Sequence, residues 1–263
     1  MKVLSKIVKY QLQDAFRSRW LAAYTLFLIV FSYGLISLTG DSSKVVLSLM
    51  NLVITIVPLI SIVFGTVYIY NSRDYIVFML SQPIDRKILF LGVYLGMCIS
   101  LAAAFITGII LPILFYANYF VNNLADILIV LISGIFETII FIGLSFYIAI
   151  KNDNKLKGFG ISIFCWLFFT VIFDGILLMI LQQFQDYPLE KVSLLIISIN
   201  PIDLARIWIT LSYDISSLMG YTSAVIKDIY GTVWGSVITI LLLTVWALWP
   251  LLLGLSNFNR KDM

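Results

Sequence analysis

The chain has 263 residues, of which 61% are apolar and 12% charged. Soluble domains run at about 45–50% and about 25%, so this much apolar surface needs a bilayer as well as a core. The net charge of +3 is dispersed between apolar runs, which argues against nucleic acid as a partner, and the lack of histidine excludes His-dependent triads, HExxH zinc sites and imidazole haem ligation.

From the N-terminus, residues 3–18 place Leu4, Ile7, Val8, Leu12 and Phe16 at helical spacing, with Lys6, Lys9, Gln13, Asp14 and Arg17 on the other side. This predicts an interfacial amphipathic elbow helix over residues 1–19. No compact apolar segment precedes a small-residue cleavage site, so the N-terminus is expected to be retained. Apolar runs follow at 20–39, 45–70, 88–117, 125–150, 159–183 and 231–257, each meeting the roughly 20 residues a bilayer span requires. The expected fold is therefore all-α: one polytopic membrane domain over residues 1–263, with six transmembrane helices behind the elbow. Pro58 and Pro112 stand in the second and third runs, where each could kink its helix. Cys98 and Cys165 both lie inside apolar runs, so neither a disulfide framework nor a CxxC metal site is expected.

Between the second and third runs, residues 72–92 read SRDYIVFMLSQPIDRKILFLG. Gln82 and Pro83 break one helix, Asp85 can cap the next, and Arg86 with Lys87 favour a cytoplasmic membrane face. With the N-terminus inside, 13 of the 17 lysines and arginines fall on inner segments, which places both termini in the cytoplasm. Residues 184–230 form the longest stretch outside the runs. Within it, residues 192–199 are too short to cross, and Asn200-Pro201 starts a new helix with proline at its first turn. A re-entrant or interfacial hairpin on the outer face is expected there.

Two acids lie inside spans: Glu137 near the middle of the fourth and Asp174 in the outer half of the fifth. Intramembrane acids mark a polar cavity, a proton path or a cation site, or else neutral groups that fix helix packing. An aspartyl-protease dyad needs two aspartates sharing a proton, and here one of the pair is glutamate. No G-x-x-x-x-G-K-[ST] loop is present, so any ATP and magnesium would be bound by a separate chain. No cofactor or metal is expected in this one. A short amphipathic segment such as residues 71–90 suits a groove on such a partner.

The elbow helix, the six spans, the interruption after the second span and the outer hairpin before the sixth together resemble the ABC-2 class of ATP-binding-cassette exporter permeases. The run LSQPIDRKILFLGVYLG at 80–96 is similar to that class's Pro-x-x-Arg unit. Within the class, Arg17-Ser18-Arg19-Trp20-Leu21, Phe173-Asp174, Ile199-Asn200-Pro201-Ile202-Asp203 with Arg206, and Met219-Gly220 are similar to the membrane subunit of the transporter that matures nitrous-oxide reductase. The resemblance implies a non-catalytic subunit of the inner membrane, surrounded by lipid and working as a homodimer. It also implies a cytoplasmic ABC ATPase as partner, a periplasmic β-helical protein on the outer hairpins, and a role in copper-site maturation. Asp74, Gln82, Pro83, Asp85 and Arg86 would then make the ATPase-coupling surface. Asn200, Pro201, Asp203 and Arg206 would shape the outer hairpin and its docking face, with Asp174 a polar element of the dimer or conduit. The sequence departs from the class at Asn71-Ser72-Arg73-Asp74-Tyr75 and around Val93-Tyr94. Competing expectations are a generic ABC-2 exporter of lipid, drug or peptide, an intramembrane hydrolase using Glu137 and Asp174, and a membrane scaffold.

Overall fold

A computed structural model describes residues 2–39, 42–116, 120–183, 196–212 and 233–261. All regular structure among them is helical: α1 (Lys2–Arg17), α2 (Arg19–Thr39), α3 (Ser42–Asn71), α4 (Arg73–Leu80), α5 (Arg86–Phe115), α6 (Leu124–Lys151), α7 (Lys155–Leu167), α8 (Phe173–Gln183), α9 (Pro201–Ser212) and α10 (Val233–Arg260), with a single 3₁₀ turn at Val121–Asn123. A π-helical turn at Phe168–Ile172 joins α7 to α8, so the two form one rod. Six helical stretches are long and apolar enough to cross a bilayer: α2, α3, α5, α6, the α7–α8 rod and α10. The protein is a polytopic, multi-pass membrane protein. Helices run through Pro58, Pro112 and also Pro250, as bilayer helices do where neighbours and local adjustment satisfy the freed carbonyl.

α6 is the central beam, packed along α3, α10, α5 and α9. Its inner half is filled by Ile140, Phe141, Ile142 and Phe146, all essentially without solvent exposure. The elbow helix α1 lies on α5, and two glycines one turn apart make that approach possible. A Cβ at Gly92 would stand 2.7 Å from Ile7 Cγ2, and one at Gly96 would collide with the Cβ and Cγ of Gln11. α1 thus buries Ile7, Gln11 and Ala15 against the bundle while Lys6, Lys9 and Arg17 stay outside. The Gln11 amide donates to the Tyr68 hydroxyl on α3, and Tyr10 stacks on Tyr75 of α4 at 5.5 Å. The elbow is thereby fixed to both helices that flank the 72–92 interruption.

α9 is too short to cross a membrane, and its contacts set its depth. Asn200 meets the carbonyl of Phe169 midway along the fifth span, whereas Thr210 reaches Met50, which is six residues from Lys44 at the far end of the α3 span. At 1.5 Å per residue the start of α9 lies about 20 Å from the inner ends of α6 and α7, near mid-membrane. Residues 184–195 and 213–230 of the expected outer hairpin region lie outside the described residues.

Candidate functional site

At the end of the bundle where α10 finishes, the 72–92 interruption contains a helix of its own. α3 ends at Asn71, α4 starts two residues later, and the backbone turns over Ser81–Ile84, where the Ser81 hydroxyl donates to the Phe78 carbonyl at 2.7 Å. Asp85 then caps α5, its carboxylate accepting from the Lys87 N–H at 2.9 Å. Asp74, Gln82, Pro83 and Asp85 are exposed, as are Val77 and Phe78 at 40% and 61%. Ile76 is buried and holds α4 to the bundle. Arg86 differs from the other four. It is half-buried, and its Nη1 donates to the Lys261 carbonyl at 2.9 Å and the Asn259 carbonyl at 3.4 Å, where its charge complements the C-terminal end of α10.

Ionic links extend this contact across the same end of the bundle. Lys261 Nζ donates to the Ile150 carbonyl and to Asp153 at 2.8 Å, and Asp153 also accepts from Arg73 at 2.9 Å. Lys155 donates to Asn71 at 2.9 Å, and the Tyr70 hydroxyl to the Asn152 carbonyl at 2.7 Å. The Lys261 ammonium, and next the Arg73 guanidinium, hold the Asp153 carboxyl below the usual carboxylate range. The C-terminal ends of α3, α6 and α10 are thus tied to one another and to the starts of α4 and α5.

A second polar cluster sits at mid-membrane. Asn200 is fully buried at the start of α9: its Oδ1 accepts from the Ile202 N–H at 3.1 Å, and its Nδ2 donates at 2.8 Å to both the Phe169 carbonyl and Asp203. That carbonyl belongs to the π-helical turn, a distortion frequent at functional sites. Arg206 Nη1 donates at 2.8 Å to Asp203 and at 2.8 Å to Asp174, bridging α9 to α8. Pro201 is buried at the first turn of α9. Glu137 is fully buried on α6, and neither of its carboxyl oxygens has a hydrogen-bond partner. Its strongest charged neighbours are Asp203 and Arg206. Ser133, one turn away on α6, has its hydroxyl buried without a partner as well. No group of three or more His, Cys, Asp or Glu side chains suited to a metal ion occurs among the described residues.

No protein-family model matches the chain. A protein of Pseudomonas aeruginosa named "Probable ABC transporter permease protein NosY" is 27% identical over 237 residues, 84% of this chain and 86% of that protein. A protein of the same name from Stutzerimonas stutzeri is 24% identical over 233 residues, 79% of this chain and 81% of that one. The chain resembles NosY, an ABC transporter permease. The likeness to NosY covers at least 79% of this chain and at least 81% of each relative.

In this NosY-like chain, the structure brings together two sets of residues that the sequence had kept apart. Asn200, Asp203 and Arg206, expected on an outer docking face, form one cluster with the intramembrane acids Asp174 and Glu137. Asn200 and Asp203 are buried there, at 0% and 3%. Asp74, Gln82, Pro83 and Asp85 stay together on an exposed surface at the end of the bundle where α10 finishes. Sequence reasoning missed Arg73, Asp153 and Lys261 as a linked set. A signal existed, since all three lie at predicted inner ends, but charge position alone does not pair residues far apart in the chain.

Proposed function

We propose that this chain is the transmembrane permease subunit of an ABC transporter, working with a separate cytoplasmic ATPase that binds ATP and magnesium. ATP-driven movement of that partner would be received at residues 71–90 and delivered through the spans as transport or as mechanical signalling. The observation that carries this reading is the NosY likeness over most of both chains. Supporting it is an exposed surface at α4 and the following turn, where Asp74, Val77, Phe78, Gln82, Pro83 and Asp85 combine apolar and charged groups. We place both termini in the cytoplasm and the chain in the inner membrane as a homodimer, on the distribution of basic residues and the resemblance.

The specific process we favour is maturation of the copper sites of nitrous-oxide reductase, with a NosD-like β-helical protein engaging the outer side. Similarity to proteins named NosY supports it. A generic exporter of lipid, drug or peptide remains the rival within the class. Asp174 argues against the hydrolase, because its carboxylate is engaged by Arg206 and is not paired with Glu137. The test is affinity purification of the full chain in mild detergent. An ABC ATPase should co-purify and hydrolyse ATP faster in its presence; recovery of no ATPase would end this reading. Deletion of the gene should leave nitrous-oxide reductase without its copper absorption bands, and a fully metallated enzyme would favour the exporter.

A further inference from the structure

Three carboxyl groups and one guanidinium share the cluster at mid-membrane, so with every group ionised it would hold two uncompensated negative charges. Arg206 is committed to Asp203 and Asp174 at 2.8 Å each, which leaves Glu137 with no cation of its own. Both of its oxygens are unpartnered and its side chain is fully buried. An unpaired buried carboxylate is far more costly than the neutral acid. Such a site balances its charge by taking up a cation, and with no ligand set for a metal among the described residues, the fitting cation is a proton.

Accessibility along the cluster is graded. The side chains of Asp174 and Arg206 are 31% and 32% exposed, that of Asp203 is 5% exposed, and Glu137 is fully enclosed. Asp174 lies six residues from Ile180, the outer limit of its span. On the inner side of Glu137, the next turns of α6 carry the buried apolar Ile140, Phe141, Ile142 and Phe146, and the two buried hydroxyls there, Thr138 and Ser145, are taken up by the Gly134 and Ile142 carbonyls of the same helix at 2.8 and 2.7 Å. The other titratable groups on elements packed against α6 are few. α5 brings Tyr94, whose hydroxyl donates to the Ile139 carbonyl at 3.0 Å, and Cys98 beside it, with Arg86 and Lys87 at its start; α7 brings Cys165, with Lys155 and Lys157 at its start. α3 and α10 bring only Lys44, Tyr68, Tyr70 and Arg260, near their ends.

We propose that Glu137 is a proton-binding site at the centre of the membrane, reached from the outer end of the bundle past the carboxyl groups of Asp174 and Asp203, which Arg206 holds in place, and closed toward the inner end. The term "outer" rests on the orientation proposed above. A proton arriving along this chain is held on a Glu137 carboxyl oxygen, beside the first turn of α9. Its gain or loss changes the charge that the start of α9 faces, so external pH acts on the same helices that the inner face would move.

The test uses the wild-type full-length chain in phosphatidylcholine–phosphatidylglycerol vesicles, with the pH set separately on each side. The probe is dicyclohexylcarbodiimide, which modifies membrane-buried carboxyl groups in their protonated form; mass spectrometry reads the label on Glu137. A protease-cleaved C-terminal tag reports sidedness in the same vesicles. Label at Glu137 should fall at least about fivefold as the pH at the end opposite the termini is raised from about 5 to about 10, and stay constant when only the other side is changed. Asp174→Asn should slow that response, and Glu137→Gln should remove the label. Label that follows the pH at the termini's side, that follows neither side, or that never forms on Glu137 would overturn the proposal. No ATPase enters the assay, so its outcome is independent of the permease assignment.

Discussion

Replacing Arg206 with methionine keeps most of the side chain's length and apolar stem but removes the cation shared by Asp174 and Asp203. Asp203 is left 5% exposed, with Asn200 as its remaining donor, and Asp174 loses the partner that ties α8 to α9. Breaking a fully buried pair costs about 3–5 kcal/mol, because a desolvated charge is stranded. Here the guanidinium is 32% exposed, so water already screens part of the attraction. A loss of about 2–4 kcal/mol follows, which for a chain of this size is a fall of about 5–15 °C in the unfolding midpoint. The assay is thermal unfolding in detergent micelles, followed by intrinsic tryptophan fluorescence. The decisive comparison is the triple variant Arg206→Met, Asp174→Asn, Asp203→Asn, which removes the stranded charges as well. It should recover most of the lost stability, since a neutral cluster no longer pays for burial of charge. An Arg206→Met protein that unfolds at the wild-type temperature, or a triple variant less stable than the single one, would refute this account.

Gly96→Leu should push α1 off α5 at a loss of about 1–3 kcal/mol, because the added side chain occupies the space of Gln11; limited proteolysis within residues 2–17 should become faster, while Gly34→Leu, with open space around it, should leave cleavage unchanged. Asp85→Ala removes the carboxylate that accepts from the Lys87 N–H and should destabilise the start of α5 by about 0.5–2 kcal/mol, read as faster amide exchange at residues 86–89. Arg86→Glu should weaken ATPase co-purification while membrane insertion stays intact, because the substitution sets an acid against the C-terminal carbonyls of α10; normal stimulation of ATPase activity by this variant would count against a role for that contact in coupling. The Asp153 carboxyl titrates below its unfolded value, so its links to Lys261 and Arg73 stabilise the fold above the ordinary carboxylate range and are lost as pH falls through it. The difference in unfolding midpoint between wild type and Asp153→Asn should accordingly be constant at neutral pH, begin to shrink near about pH 4, and be lost as pH falls further through the lowered value of the folded state.

The features legible in the sequence are those written in local period and local chemistry. Run length located the six spans to within a few residues, the 3.6-residue spacing of Leu4, Ile7, Val8 and Leu12 located the elbow, and the order Gln82-Pro83 then Asp85 located a helix stop and a helix cap. The π-helical turn at Phe168–Ile172 was not legible, because its residues carry no breaker: it coincides with the place where the Phe169 carbonyl meets Asn200, 31 positions away. Arg206 illustrates the same limit for charge. Counted by position it belongs with the outer-face basic residues, yet its guanidinium bridges two acids within the bundle. Hydropathy windows assign a residue to a segment, whereas the partner that neutralises it depends on how a short helix folds back among the spans. The bonds of Arg86 were not legible for a related reason, since the carbonyls it binds belong to the end of the last helix and the residue after it, and become its neighbours only when α10 packs on α5 and α6.

Both polar centres are attached to α6, and this determines how movement at one end could reach the other. At its inner end, the Ile150 carbonyl and the following Asp153 receive Lys261, and through Asp153 and Lys261 the helix is joined to Arg73 on α4 and to the end of α10. About three and a half turns of α6, filled midway by tightly packed Ile140, Phe141 and Phe146, separate that end from Glu137 and the start of α9. Close-packed interiors transmit displacement because their voids are too small to absorb it. A shift of α4 and the Ser81–Ile84 turn therefore acts on α6 through ionic links at the surface and reaches α9 through apolar packing. The elbow adds a second constraint, since α1 holds α5 through Gly92 and Gly96 and holds α3 through Tyr68. Movement of α4 driven by a partner would then have α1, α3 and α5 held together beside it, and would reach a polar cluster where Asp174, Asp203 and Arg206 offer a partner exchange in place of rigid packing.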